Sequence, residues 1–145
     1  MNVLVVYASL TGNTQKLAGA MAEELDVTPR RIEEAPKLGE GDLLLLGSGV
    51  YWNRPARAVR RYLQNLPSLR GVRVALFGTY GGAPHQIEAM AKIVQRKGGE
   101  ILGRFSCRGR DWFVLGLVAR RHPNAAELSA AAAFAHNMVE RARGE

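Results

Sequence analysis

The chain is short of cysteine, lysine and carboxylates. One cysteine, Cys107, among 145 residues excludes an intramolecular disulfide and any cysteine-cluster metal site. Lysine occurs four times against sixteen arginines, and Asp and Glu together number 13, which leaves a net charge of +7 and a pI near 10.2. Charge of this sign speaks about partners rather than fold: nucleic acid, an acidic protein, an anionic small molecule or an acidic membrane surface would each benefit. No apolar run approaches the ~18 residues of a membrane span. The opening MNVLVVYASL has no basic stretch and runs straight into a turn, so no signal peptide is expected and the cytoplasm is the default location. G-x-x-x-x-G-K-[ST] is missing, which leaves a Walker-type nucleotide triphosphatase unsupported; G-x-G-x-x-G is missing too, which weakens a dinucleotide reading. Apolar residues at 47% and charged ones at 23% are ordinary for a globular chain, and the length suits a single domain over 1–145.

Apolar runs of strand length alternate with segments of helical period. Val3–Ala8 is a continuous apolar run, half of it β-branched valine, of the kind buried on both faces of a sheet. A helical stripe of Leu17, Met21 and Leu25 follows, then a weak strand within 28–33 and a loop or single turn at 34–41. Leu43, Leu44, Leu45 and Leu46 read as a third strand, because Gly47, Ser48 and Gly49 close the run after a few residues. Pro55 suits the first turn of a helix whose buried face is Val59, Tyr62, Leu63 and Leu66. Residues 72–77 form a fourth strand, 78–84 a turn-rich loop, and Ile87, Met90, Ala91 and Val94 the buried face of a helix that stops at Gly98 and Gly99. Residues 101–107 form a fifth strand. The last helix starts at Asn124, with Glu127 as its capping-box partner. Strict alternation predicts an α/β fold: a doubly wound five-stranded parallel sheet with helices on both faces. Ligands of such sheets bind outside the carboxyl ends of the strands, where strand order switches. The loops after strands one, three and four are therefore the ones to inspect.

The first loop is Ser9, Leu10, Thr11, Gly12, Asn13 and Thr14. It places three hydroxyls, an amide and a glycine before a helix N-terminus, whose free N–H groups and partial positive charge suit a phosphate. The plainer role for Thr11 or Asn13 is to cap the helix. The second loop, Ser48, Gly49, Val50, Tyr51, Trp52 and Asn53, carries two adjacent aromatics suited to stacking on a flat ring, or to anchoring the loop on the core. In the third, Thr79, Tyr80, Gly81 and Gly82, paired glycines let the backbone turn sharply and aim N–H groups at a ligand. His85, just beyond, is a capping or surface residue or a proton handler. Cys107 reads as a small core residue.

Ser9-x-Thr11-Gly12-Asn13-Thr14 resembles the phosphate-binding loop of the flavodoxin family at each characteristic position, and the similarity of organisation covers nearly the whole chain. The resemblance implies the strand order 2-1-3-4-5 and flavin mononucleotide (FMN) as cofactor. It also implies that Tyr51 or Trp52 covers one face of the isoalloxazine, that Gly49 lies near the nitrogen protonated on reduction, and that the third loop meets the pyrimidine end, with Tyr80 a second stacking candidate. No catalytic side chain or metal ligand is implied. The expected role is an FMN-binding electron carrier, monomeric or weakly dimeric, exchanging electrons with an acidic redox partner. The alternative is an FMN-dependent oxidoreductase acting on a quinone, a tetrapyrrole or another small anionic or aromatic substrate, in the manner of a protoporphyrinogen oxidase but without its long insertion. A third, weaker reading is a nucleic-acid module, disfavoured because Arg30, Arg31, Arg120 and Arg121 lack interleaved aromatics.

Two features depart from the family. Flavodoxins are acidic, whereas here Arg54, Arg57, Arg60 and Arg61 crowd the helix beside the second loop, Arg108 and Arg110 follow the fifth strand, and the third loop has no carboxylate. Arginine near the ring favours the anionic, fully reduced flavin, and about 1.4 kcal/mol corresponds to roughly 59 mV for a one-electron couple, so a less strongly reducing low-potential couple is expected. The second departure is the apolar stretch 112–119, opening with Trp112 and Phe113 and flanked by arginines. It reads as a short packed helix, a lid, a dimer contact, a docking patch or an interfacial segment.

Overall fold

Val3–Ala8 forms β1, and its lack of apolar–polar alternation has a direct cause: helices cover both sides of the sheet, so neither face is wet. The structure is a computed structural model and describes residues 1–8, 13–51, 54–55, 57–80, 85–108 and 124–144. In chain order come α1 (Asn13–Leu25), β2 (Arg30–Arg31) with a 3-10 turn at Ile32–Glu34, β3 (Leu43–Ser48), β4 (Val50–Tyr51), β5 (Arg54–Pro55), α2 (Arg57–Asn65), β6 (Arg73–Tyr80), α3 (His85–Arg96), β7 (Glu100–Arg108) and α4 (Ala125–Gly144). The main sheet is parallel throughout, in the order β2-β1-β3-β6-β7, which is 2-1-3-4-5 when its own strands are counted. That is the order the sequence implied.

Side chains alternate along each strand, so the sheet has two separate apolar layers. Val5, Tyr7, Leu43, Leu45, Ala75 and Phe77 face α1 and α4. Val6, Leu44, Leu46, Val74 and Leu76 face α2 and α3. Small residues let α4 lie close: Ala131, Ala135 and Ala142 are buried, and a Cβ on Gly103 would sit 2.7 Å from Met138 Sδ. Arg73 donates to the Ala142 carbonyl and Arg141 to the Leu102 carbonyl, fastening the last turn of α4 to the start of the sheet.

Local chemistry ends the helices where it should. At α3, Gly98 takes φ +92°, and Gly98 N–H and Gly99 N–H reach the carbonyls of Gln95 and Val94, the paired bonds of a Schellman stop. The same pair closes α1, but with Asp26 in the left-handed position at φ 54°. At α4 the capping box is complete: Asn124 N–H donates to Glu127 at 3.0 Å, and Glu127 N–H to the Asn124 side chain at 2.8 Å. Lys97, the residue after α3, caps α2 with its Nζ, donating to the carbonyls of Gln64 at 2.9 Å and Leu66 at 2.7 Å.

Several expected boundaries move. Pro55 is not in the first turn of a helix; it lies in β5, paired with Val50, and α2 starts at Arg57. A proline at a two-residue edge strand loses no ladder bond, which makes that position as acceptable as helix entry. The fourth sheet strand runs on to Tyr80 instead of stopping at Phe77, because Gly78, Thr79 and Tyr80 still have β7 partners in Ser106, Cys107 and Arg108. The turn expected at 34–41 comes earlier, at Ile32–Glu34, where Ile32 is buried. Stretch 112–119 lies outside the described residues. Among those described, no helix is long and apolar enough to cross a membrane.

One core position is imperfect. Tyr62 packs against the α2/α3 layer with its hydroxyl buried and without a hydrogen-bond partner, and burial raises its pKa above the ordinary 10.0. An unpaired buried hydroxyl costs about 1–3 kcal/mol, so Tyr62→Phe should raise stability by about 1 kcal/mol. The sign with pH follows from the raised value: the unfolded phenol ionises first, so the contribution is constant below pH 10 and is lost as pH rises beyond it. Denaturant midpoints at neutral pH and above pH 10 should therefore show a gap between variant and parent that widens with alkalinity.

Candidate functional site

The carboxyl ends of β1, β3 and β6 lie side by side, and α1 and α2 leave from β1 and β3 to opposite faces of the sheet. That divergence is the switch point, where a crevice forms without any special sequence. Two lateral rows define its floor. In the row Arg31–Tyr7–Gly47–Phe77–Phe105, large rings flank a single glycine. The Phe77 ring occupies the space a Gly47 Cβ would need, Arg31 sits 5.9 Å from the Tyr7 ring centroid, and Phe105 packs on Phe134. The next row towards the edge is Ala8–Ser48–Gly78–Ser106, small at every position. A row of large side chains thus lies next to an edge row of small ones.

The first-loop residues divide at the boundary of description. Ser9, Leu10, Thr11 and Gly12 lie outside the described residues; Asn13 opens α1 and Thr14 follows in its first turn. That turn contains no carboxylate, whereas α3 has Glu88 and α4 Glu127 in theirs. The positive end of α1 is consequently not neutralised by its own side chains. Thr14 is fully buried, and its Oγ1 lies 3.1 Å from Thr79 Oγ1. This contact, between residues 65 positions apart, joins the first candidate loop to the end of β6.

Ser48 and Gly49 are buried, and the Ser48 hydroxyl donates to the Gly49 carbonyl at 3.0 Å, fixing the turn after β3. Val50 and Tyr51, expected in a loop, form β4, which pairs antiparallel with Arg54 and Pro55. The second loop is thus a small hairpin, whose tip, Trp52 and Asn53, lies outside the described residues. Thr79 and Tyr80, also expected in a loop, end β6; Gly81 and Gly82 lie outside the described residues, and His85 opens α3. Cys107 is a strand residue beside Thr79. Among the described residues no three His, Cys, Asp or Glu side chains cluster to hold a metal. Sequence reasoning missed Gly47, Phe77, Ala8 and Gly78 as supports of the site. Their cross-strand register carries that role, and the spacing along the chain does not show it.

The sheet order, the switch point between β1 and β3 and the helices on both faces define a doubly wound α/β protein. The chain belongs to the flavodoxin domain family, whose model matches residues 4–111. It is 28% identical over 151 residues to the uncharacterized protein MJ0298 of Methanocaldococcus jannaschii, covering 97% of this chain and 99% of that one. It is 32% identical over 123 residues to the flavodoxin-like domain-containing protein BilS of Clostridioides difficile, covering 76% of this chain and 67% of that one. Among solved structures, an archaeal flavodoxin superposes with a TM-score of 0.75 at 18% identity, over 99% of both chains.

Proposed function

We propose that the chain binds flavin mononucleotide at the carboxyl edge of its sheet and acts as an electron carrier. The observation that carries this reading is the first turn of α1 at the switch point, free of carboxylates and holding a buried threonine hydroxyl. Bound there, a flavin supplies one- and two-electron chemistry that no side chain need perform. On this reading Ser9, Thr11, Asn13 and Thr14 hold the phosphate with hydroxyl, amide and backbone donors, and Leu10 and Gly12 let the backbone come close. Gly49 presents a backbone group to the ring, and the hairpin residues Val50, Tyr51, Trp52 and Asn53 cover one side of it. Thr79, Tyr80, Gly81 and Gly82 bound the pyrimidine end. The small row Ala8–Ser48–Gly78 fits this assignment, since bulk there would fill the space a planar ligand needs.

The experiment is a titration of flavin-free protein with FMN and, in parallel, with riboflavin, followed by absorbance and fluorescence. Hydrogen bonds to a charged group contribute about 1.5–3 kcal/mol each, so two or more should make FMN bind at least ~100-fold more tightly. Equal affinity for the two, or none for either, would remove the first loop from the site. Turnover of a soluble quinone by the flavin-loaded protein alone would replace the carrier role with that of an enzyme.

A further inference from the structure

The charges of this chain are not spread evenly. Carboxylates gather at the amino edge of the sheet, with Glu23 and Asp26 at the end of α1, Asp42 before β3, Glu100 opening β7 and Glu140 near the end of α4. Several basic groups there are engaged: Arg73 lies 3.9 Å from Glu100, Arg143 3.7 Å from Glu140, and Lys97 and Arg141 donate to carbonyls. At the carboxyl edge, Glu88 pairs with Arg104 at 2.8 Å, Glu33 with Arg31 at 3.7 Å, and Glu127 closes its capping box. Glu34 is the one carboxylate on this edge without such a partner among the described residues.

Against that background α2 stands out. It contains Arg57, Arg60 and Arg61 and no carboxylate. The i, i+3, i+4 spacing puts the three guanidinium groups on one stripe, opposite the buried Val59 and Leu63. Among the described residues none of the three is in an ion pair. Arg57 and Arg60 also occupy the first turn of the helix, where the macrodipole disfavours positive charge. Repulsion within the stripe and the wrong end of a helix both work against the fold, so stability does not account for this arrangement. Its position does suggest a use: α2 begins just after β5, which pairs with β4 in the hairpin beside the candidate site.

We infer that the arginine stripe of α2 is the docking surface for an acidic protein, seated so that its redox centre faces the hairpin; the redox part rests on the carrier reading above. A protein fits better than nucleic acid. The stripe is only about one helical turn long, which spans few phosphates. The one aromatic of α2, Tyr62, is packed inward with its hydroxyl buried, so no ring on the stripe can stack on a base.

The test compares two triple reversals with the same change in net charge. One is Arg57→Glu, Arg60→Glu and Arg61→Glu; the other is Arg70→Glu, Lys92→Glu and Arg96→Glu, three exposed residues outside α2. The probe is an acidic plant-type [2Fe–2S] ferredoxin, and association is measured by calorimetry with and without FMN. At about 0.01 M ionic strength, where the Debye length is roughly 30 Å, the α2 reversal should weaken association at least ~10-fold and the control less than ~3-fold. Near 1 M, with a length of about 3 Å, the three proteins should converge. Helical content by circular dichroism checks α2, and a second triple, each arginine to Gln, should give an intermediate loss. Equal weakening by both reversals would mean net charge alone, and absence of association by the parent protein would remove the surface. Tighter binding of duplex DNA or anionic vesicles than of the ferredoxin would likewise overturn the proposal. Because association is also read without flavin, failure of cofactor binding leaves the docking result standing on its own.

Discussion

Gly47→Ala is expected to lower stability by about 3 kcal/mol, a large cost for one added methyl. The new Cβ would lie 2.2–2.7 Å from three carbons of Phe77, which is fully buried and is the cross-strand partner of Gly47 in β6. The ring has little freedom to move away. Tyr7 bounds the same row on the other side, and Leu17 and Met21 of α1 are buried in the same layer. The strain would be felt one residue from Ser48 and two from Gly49, so the site should loosen with the core. A double-mutant cycle separates this steric account from a general intolerance of the strand. Phe77→Leu alone should cost about 1–2 kcal/mol as a cavity, yet with Gly47→Ala the pair should cost at least ~1 kcal/mol less than the sum. Urea midpoints for the four proteins give the answer, and a near-neutral Gly47→Ala would defeat the argument.

The same row shows where sequence stops being informative. The leucine run of β3 and the apolar run of β1 are readable because a strand buried on both faces leaves a continuous apolar signature. The capping box at Asn124 and the double-glycine stop after α3 are readable because each is a local contract between residues a few positions apart. Pairing between strands is not local. Nothing within Gly47 or its neighbours announces that Phe77, thirty residues later, will lie over it, and nothing at Thr14 announces Thr79. Pro55 misleads for a related reason: its fixed φ suits both a helix entry and an edge strand, and only the pairing with Val50 decides. The strand end at Tyr80 was hidden likewise, since glycine at position 78 looks like a turn until β7 supplies partners. The hydroxyl-rich composition of the first loop is visible in the sequence, but the contact of Thr14 with Thr79 is not.

That tie leads to the second large effect. Thr14→Val keeps the shape of the side chain and removes only the hydroxyl. In the protein that hydroxyl is buried and bonded to Thr79 at 3.1 Å. A hydroxyl has one donor and two acceptor positions. If Thr79 donates to Thr14, the Thr14 proton stays available to a phosphate held at the start of α1, and the buried setting strengthens that bond. On the proposed reading, Thr14→Val should weaken FMN about 10–100-fold, the equivalent of one hydrogen bond to a charged group, and riboflavin less than ~3-fold. Thr79→Ser, which retains an oxygen, should stay near the parent for both ligands, and Thr79→Val should follow Thr14→Val in direction. The selectivity ratio is the decisive quantity, because a merely structural loss near the site would weaken both flavins together. A Thr14→Val protein that discriminates between FMN and riboflavin as well as its parent would assign the hydroxyl pair to the fold, joining α1 to β6 without touching the phosphate.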